Sequence, residues 1–160
     1  MMKEKTLFTE QKFLSILVIP FIISIVSTFP ILLVALVANN PQVALIMLLV
    51  AFTLFASLLL FYKLHIKVDE QVLEISFGIG LIKKKFLLSD IDTSTFYDKK
   101  IPWYYGVGWR YDFKGNVLFS ADLGTALTFR LKNSENQIMI VTKNREALKD
   151  AIIDSLHNHL

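Results

Sequence analysis

The chain has no cysteine, and from Phe13 to Tyr62 it has no Asp, Glu, Lys, Arg or His. The first absence excludes disulfide frameworks and thiolate metal sites, and it removes the usual support for zinc or iron–sulfur chemistry. The second says more. A charge in a bilayer core costs roughly several kcal/mol, so a long aliphatic run without one marks a chain that meets lipid. The same silence excludes proton relays, ion paths and voltage sensors, which need ionisable side chains at membrane depth. Proline and glycine are scarce, at four and six residues, so those present carry positional meaning. No internal repeat and no low-complexity linker interrupts the chain.

A bilayer core about 30 Å thick takes about 20 apolar helical residues, and the silent stretch is long enough for two spans. Its one polar break is Asn39-Asn40-Pro41-Gln42. Proline cannot continue a helix and biases the preceding residue toward extended geometry. The expectation is a transmembrane hairpin with spans at 13–38 and 43–62. Lys3, Lys5 and Lys12 precede it, Lys63, Lys67 and Lys83-Lys84-Lys85 follow it, and the loop carries no basic residue. The positive-inside rule then gives a two-pass protein of the cell (inner) membrane with both termini cytoplasmic. A cleaved signal peptide fits poorly, because its apolar core runs only about 7–15 residues. Residues 1–12 read as a short cytoplasmic leader that signals topology. Pro20 and Pro30 should bend the first span, and Ser24 and Thr28, four apart, offer a small-residue contact to Ala51 or Ser57.

Residues 64–160 suffice for one compact domain. The formal charge of +3 is not gathered into a basic stripe, so nucleic acid is not an expected partner. Leu64, Ile66 and Val68 alternate with His65, Lys67 and Asp69, and Leu73, Ile75 and Phe77 with Glu74 and Ser76, the period of half-buried strands. Gly78-Ile79-Gly80 supplies a tight reversal. A third strand is expected from Ile82 to Leu88, and Val107, Trp109, Tyr111 and Phe113 share one face of a later strand. Short connections predict an antiparallel meander of about seven strands. From Asn144 the pattern changes: an N-cap, Glu146 in the first turn, and Leu148, Ala151, Ile152 and Leu156 at helical spacing predict a helix over 145–157. The expected architecture is a small β-barrel or sandwich capped by that helix.

From Val68 to Ile153 the chain resembles a bacterial PH-like (pleckstrin-homology-like) domain of the membrane-tethered kind. The resemblance rests on the Gly-x-Gly reversal followed by basic residues and Phe86-Leu87-Leu88-Ser89-Asp90-Ile91. It rests also on Trp103-Tyr104-Tyr105-Gly106-Val107-Gly108-Trp109-Arg110 and on Val141-Thr142-Lys143-Asn144-Arg145-Glu146-Ala147-Leu148. Such relatives tend to carry Asp-Pro where Asn144-Arg145 stands. The resemblance implies a scaffold for binding and assembly, with no catalytic residues to carry over.

Two sets of candidate site residues follow. Lys83, Lys84 and Lys85, near a membrane, suit anionic lipid head groups, with Lys83 and Lys85 on one strand face and Lys84 on the other. Trp103, Tyr104 and Arg110 are of the types that dominate binding hot spots. The competing reading places Trp109 and Tyr111 in the core and pairs Arg110 with Asp112 or Asp122. Gly78-x-Gly80 and Gly106-x-Gly108 lack the third glycine, the lysine and the helix of a phosphate loop. His65, His157 and His159 do not make a metal set. The expected protein is therefore non-enzymatic, without cofactor or metal: a module that recognises a protein partner, its own copies or anionic lipid at the cytoplasmic membrane face. The alternative is an accessory or regulatory subunit of a membrane enzyme or transporter, acting through its hairpin.

Overall fold

The computed structural model describes residues 6–157, so the expectations attached to Lys3, Lys5 and His159 lie outside the described residues. Two helices occupy the silent stretch: α1, Ser15–Val37, and α2, Pro41–Phe61. Both are long and apolar enough to cross a membrane. Their boundary is chemical. The Asn40 side chain accepts the Val43 N–H at 3.3 Å, and Pro41 opens α2 where a missing N–H costs nothing. Ala35 alone is buried in the two helices, and Ile, Leu, Val and Phe side chains face outward all round. A helix apolar on every side calls for an apolar surround. Ser24, Ser27 and Thr28 donate to the carbonyls of Pro20, Ile23 and Ile25, so their protons serve α1 itself.

The leader corrects the sequence reading, which set it outside the domain. Phe8–Phe13 is a strand, β1, antiparallel to β2, Lys63–Val68, with Phe8 opposite Val68 and Phe13 opposite Lys63. The ladder continues one residue further, Leu14 N–H donating to Tyr62 C=O at 3.0 Å. The helical hairpin is thus the connection between two neighbouring strands. Alternation missed β1 because its register sets Phe8, Glu10 and Lys12 on the face that Val68, Ile66 and Leu64 bury, and two of the three are charged.

With β3, Val72–Phe77, and β4, Ile82–Leu87, the first sheet runs β1-β2-β3-β4. The second contains β5, Ile91–Lys100, β6, Gly108–Tyr111, β7, Val117–Ser120, β8, Thr125–Leu131, and β9, Gln137–Val141. Its order is β5-β8-β9-β7-β6. Nine strands therefore stand among the described residues where about seven were expected, and β7 pairs with β9 in parallel rather than as part of a meander. Short loops suggest sequential neighbours, but the chain leaving β7 skips one position before forming β8, and β9 fills the gap. The closing helix, α3, spans Arg145–His157 as its periodicity predicts.

Leu64, Ile66, Leu73, Ile75 and Phe77 of the first sheet meet Leu127, Phe129, Ile138 and Ile140 of the second, with Leu148 and Ile152 of α3 completing the core. Leu14 is fully buried in this core, and Leu17 and Phe61 pack against it. Full burial of one such side chain is worth about 1.5–3 kcal/mol, so the base of the helical hairpin is bonded into the domain by packing as well as by covalent chain.

The tightest point of that junction is Gly78, at φ +55°, whose added Cβ would lie 2.1 Å from the Leu59 carbonyl oxygen and 2.4 Å from that of Leu60. Gly80 has φ +89° and open space around it. Both substitutions to alanine strain the backbone, by about 1–3 kcal/mol, but only Gly78→Ala also collides with main chain. Gly78→Ala should therefore lower the thermal midpoint in detergent well beyond Gly80→Ala. Equal losses would show that the junction yields.

Candidate recognition face

The second sheet has a covered outer face as well as a buried inner one. Along β7, β8 and β9, Leu118, Ala126, Met139 and Val141 point away from the main core and form a second buried cluster with Ile101. Its lid is the segment after β5. Pro102 precedes a 3₁₀ turn at Trp103–Tyr105, closed by Tyr105 N–H to Pro102 C=O and Gly106 N–H to Trp103 C=O, both at 3.1 Å. Gly106 reverses the chain at φ +69°. Ile101 N–H donates to Gly124 C=O at 2.9 Å, tying the lid to the β7–β8 loop. Ile101 and Tyr105 point in; Trp103 and Tyr104 point out, 77% and 70% exposed.

The exposed pair is held, since Tyr104 stacks at a tilt on Tyr105 at 5.3 Å and meets Trp103 edge-on at 6.3 Å. Beside them lies an apolar groove of about 510 Å³ formed by Lys100, Ile101, Pro102, Trp103, Leu123 and Gly124. Arg110 lies opposite Leu118 in the β6–β7 ladder, on the same outer face. Its Nε donates to Val107 C=O at 3.3 Å, and its guanidinium lies against Gly106. The structure thus brings Trp103, Tyr104 and Arg110 to one side of the second sheet. The carboxylates suggested for Arg110 are otherwise engaged: Asp122 pairs with Lys12 at 3.2 Å, and Asp112 accepts from Asn116 and the Lys114 N–H. Trp109 does pack inward, its ring 5.7 Å from Phe119, whereas Tyr111, expected beside it in the core, is exposed.

The lysines form a separate group on β4, at the edge of the first sheet. Lys85 sits opposite Glu74 and pairs with it at 2.9 Å. Lys83 shares that face, opposite Ser76, and Lys84 projects to the other, opposite Ile75, as alternation predicts. The outer face of this sheet carries Lys63, His65 and Lys67 on β2 beside Lys83 and Lys85, with Lys85 paired to Glu74 and Lys67 to Asp69 at 2.7 Å. His65, hydrogen-bonded to Thr9 at 3.0 Å, is held below its ordinary value of 6.5 by partial burial and by Lys63.

Two functional-looking residues escaped sequence reasoning. Glu10 of β1 accepts from Thr142 Oγ1, Lys143 N–H and Asn144 Nδ2, and so fixes the turn into α3. Lys12 holds Asp122 beside the groove wall, where the Leu123 N–H, donating at 2.8 Å, and then Lys12 keep the Asp122 carboxyl below its usual range. No sequence signal announced either contact, because the partners are more than a hundred residues away. Among the described residues no group of three or more His, Cys, Asp or Glu is placed to hold a metal. Comparison with protein-family models, curated proteins and solved structures finds no match for the chain.

Two outcomes follow from this geometry. Trp103→Ala, at an exposed site, should leave stability within about 0.5 kcal/mol, while Tyr105→Ala opens the outer cluster and should lower the thermal midpoint. Folded His65 favours the neutral ring, so the unfolded chain binds more protons below 6.5. Stability is full above that pH and falls as pH drops toward the lower folded value. His65→Gln should flatten this stretch of the stability–pH curve; an unchanged slope would assign it elsewhere.

Proposed function

We propose that this chain is a membrane-anchored, non-enzymatic binding module of the PH-like kind, whose Trp103–Tyr104–Arg110 face captures a protein partner at the cytoplasmic surface of the cell membrane. One observation carries the reading: Trp103 stands exposed at the rim of an apolar groove with the exposed Tyr104 ring against it, on a lid that is itself anchored by a buried cluster. Loop residues over a rigid platform lose little conformational freedom on binding, which favours affinity. Trp, Tyr and Arg are the residue types that contribute most at such contacts.

The architecture supports the rest. The two apolar helices begin and end at adjacent, paired strands, so both chain segments leave the hairpin on the same side. The basic residues at that side support a cytoplasmic position for it under the positive-inside rule. Two sheets with α3 packed into their common core share the coarse layout that the resemblance implies, while the parallel β7–β9 pair departs from the expected meander. The carboxylates shifted downward serve structure: Asp92 takes hydrogen bonds from Ser94, and Asp112 accepts from Asn116 and Lys114, bonds that outweigh the upward push of its burial. The alternative, an accessory subunit acting through the hairpin, loses polar handles, since Ser24, Ser27 and Thr28 donate within α1. Lys83 and Lys84 offer a second, head-group contact on the other sheet.

Photocrosslinking in native membranes tests this. A photoreactive residue at Leu123 lies on the groove wall and leaves Trp103, Tyr104 and Arg110 intact. Protein adducts are expected there, a doubled mass identifying a second copy of the chain. Arg110→Ala should weaken the captured partner by about 2 kcal/mol, near thirtyfold. Lipid adducts from a probe at Lys84, with none to protein from Leu123, would replace the reading by a lipid-recognising domain.

A further inference from the structure

We propose that the β3–β4 turn, residues 78–81, is a third membrane contact, a wedge that enters the head-group layer of an anionic bilayer beside α2. The proposal rests on reading α1 and α2 as membrane spans. Its depth comes from a hydrogen bond. Ile79 N–H donates to the Leu59 carbonyl at 3.1 Å, and Gly78 packs so closely that a Cβ would strike the carbonyls of Leu59 and Leu60. Leu59 lies in the last turn of α2, ahead of the helix end at Phe61. The last carbonyls of a helix have no intrahelical donor, and at membrane depth water cannot supply one. The turn supplies it. It therefore lies level with the domain-facing end of the apolar helix, on the helix side of the strands.

At that level the turn directs apolar side chains outward. Ile79 is 57% exposed and Leu81 73% exposed, on either side of Gly80, whose N–H closes the turn on Phe77 C=O at 2.8 Å. Tight turns in water favour Gly, Asn, Asp, Ser and Pro; here two branched aliphatics sit where hydration is least favourable. Their neighbours have interfacial chemistry. Phe13, opposite Lys63, is 67% exposed and 6.2 Å from the Tyr62 ring. Lys63 Nζ lies 5.3 Å from the Tyr62 centroid, and Lys83 projects from β4 two residues beyond Leu81. Aromatic rings and lysines at one height are the composition of a membrane–water interface, with basic groups for anionic lipid. The occupant of this patch is the bilayer that holds the helices, because the patch is continuous with them through the Leu59 bond. Two helices alone would let the domain tilt; a wedge beside them fixes its attitude to the surface.

The absence of cysteine makes the test clean. Single nitroxide labels are placed on the full chain through Ile79→Cys, Leu81→Cys, Phe52→Cys in mid-α2 and Asp150→Cys on α3. The protein is reconstituted in vesicles of phosphatidylcholine and phosphatidylglycerol, and collisions with oxygen and with a water-soluble nickel chelate are compared. Oxygen should dominate at Ile79, Leu81 and Phe52, and the chelate at Asp150. Chelate dominance at Ile79 and Leu81, with Phe52 still shielded, overturns the wedge and leaves the spans standing. Chelate dominance at Phe52 as well overturns both readings together.

Discussion

The constraint on which the rest of the structure depends is the seam where Leu14 N–H meets Tyr62 C=O and β1 runs beside β2. A helical hairpin inserted between two paired strands must return its second helix to the strand spacing at which the first departed. That geometry is demanding, since paired strands lie about 4.8 Å apart while packed helices lie about 8–10 Å apart. The difference is taken up within the junction residues. Leu14, fully buried, fills the space beneath the diverging helices, and Phe61 and Leu17 pack above it onto the same core. Gly78 admits the backbone of α2 at a distance no other residue allows. Sheet and helices consequently form one packed unit, without a linker between them.

The second dependence is electrostatic and concerns β1. An edge strand with two charges on its inner face should leave the sheet unless each charge is met. Glu10 is met by Thr142, Lys143 and Asn144, at the entry to α3, and Lys12 by Asp122, at the loop that walls the groove. Surface ion pairs alone contribute little, about 0–1 kcal/mol. The cluster around Glu10 differs because it satisfies several donors of one turn at once, in a partly buried place. These contacts connect the strand that enters the helices to the adjoining ends of β7 and β9, where Ser120 lies opposite Val141. Position of the lid and position of the hairpin are thus set by the same six residues of chain.

Much of this was legible in the sequence, for identifiable reasons. Charge silence and Asn40-Pro41 located both helices, strict alternation located β2 and β3, and Asn144 with a helical stripe located α3. What stayed hidden depended on long-range pairing. β1 carries charge where alternation requires apolar residues, so its periodicity is masked by partners at Asp122 and Thr142 that only folding brings near. The parallel β7–β9 pair is a property of strand order, which local turn chemistry does not encode. Tyr111 shows the limit of face arguments: it shares the inward parity of Trp109, yet it stands exposed while Trp109 lies against Phe119. Of the candidate site residues, the sequence could name Trp103, Tyr104 and Arg110 by type. It could not name Ile101 and Tyr105, whose burial is what holds the first two out.

That division of labour within five consecutive residues bears on mechanism. If Trp103 and Tyr104 were loose, a partner would have to order them, at about 0.5–1.5 kcal/mol for each immobilised side chain. Here the ordering is done in the fold by Tyr105 stacking beneath Tyr104 and by Ile101 hydrogen-bonded to Gly124. The same platform is tied through Asp122 and Lys12 to the strand that enters α1. A surface fixed in this way keeps one orientation relative to the helices. Under the proposed reading, anchoring in a membrane would do more than raise local concentration: it would favour, among partners on the same surface, those able to approach from the side the platform presents.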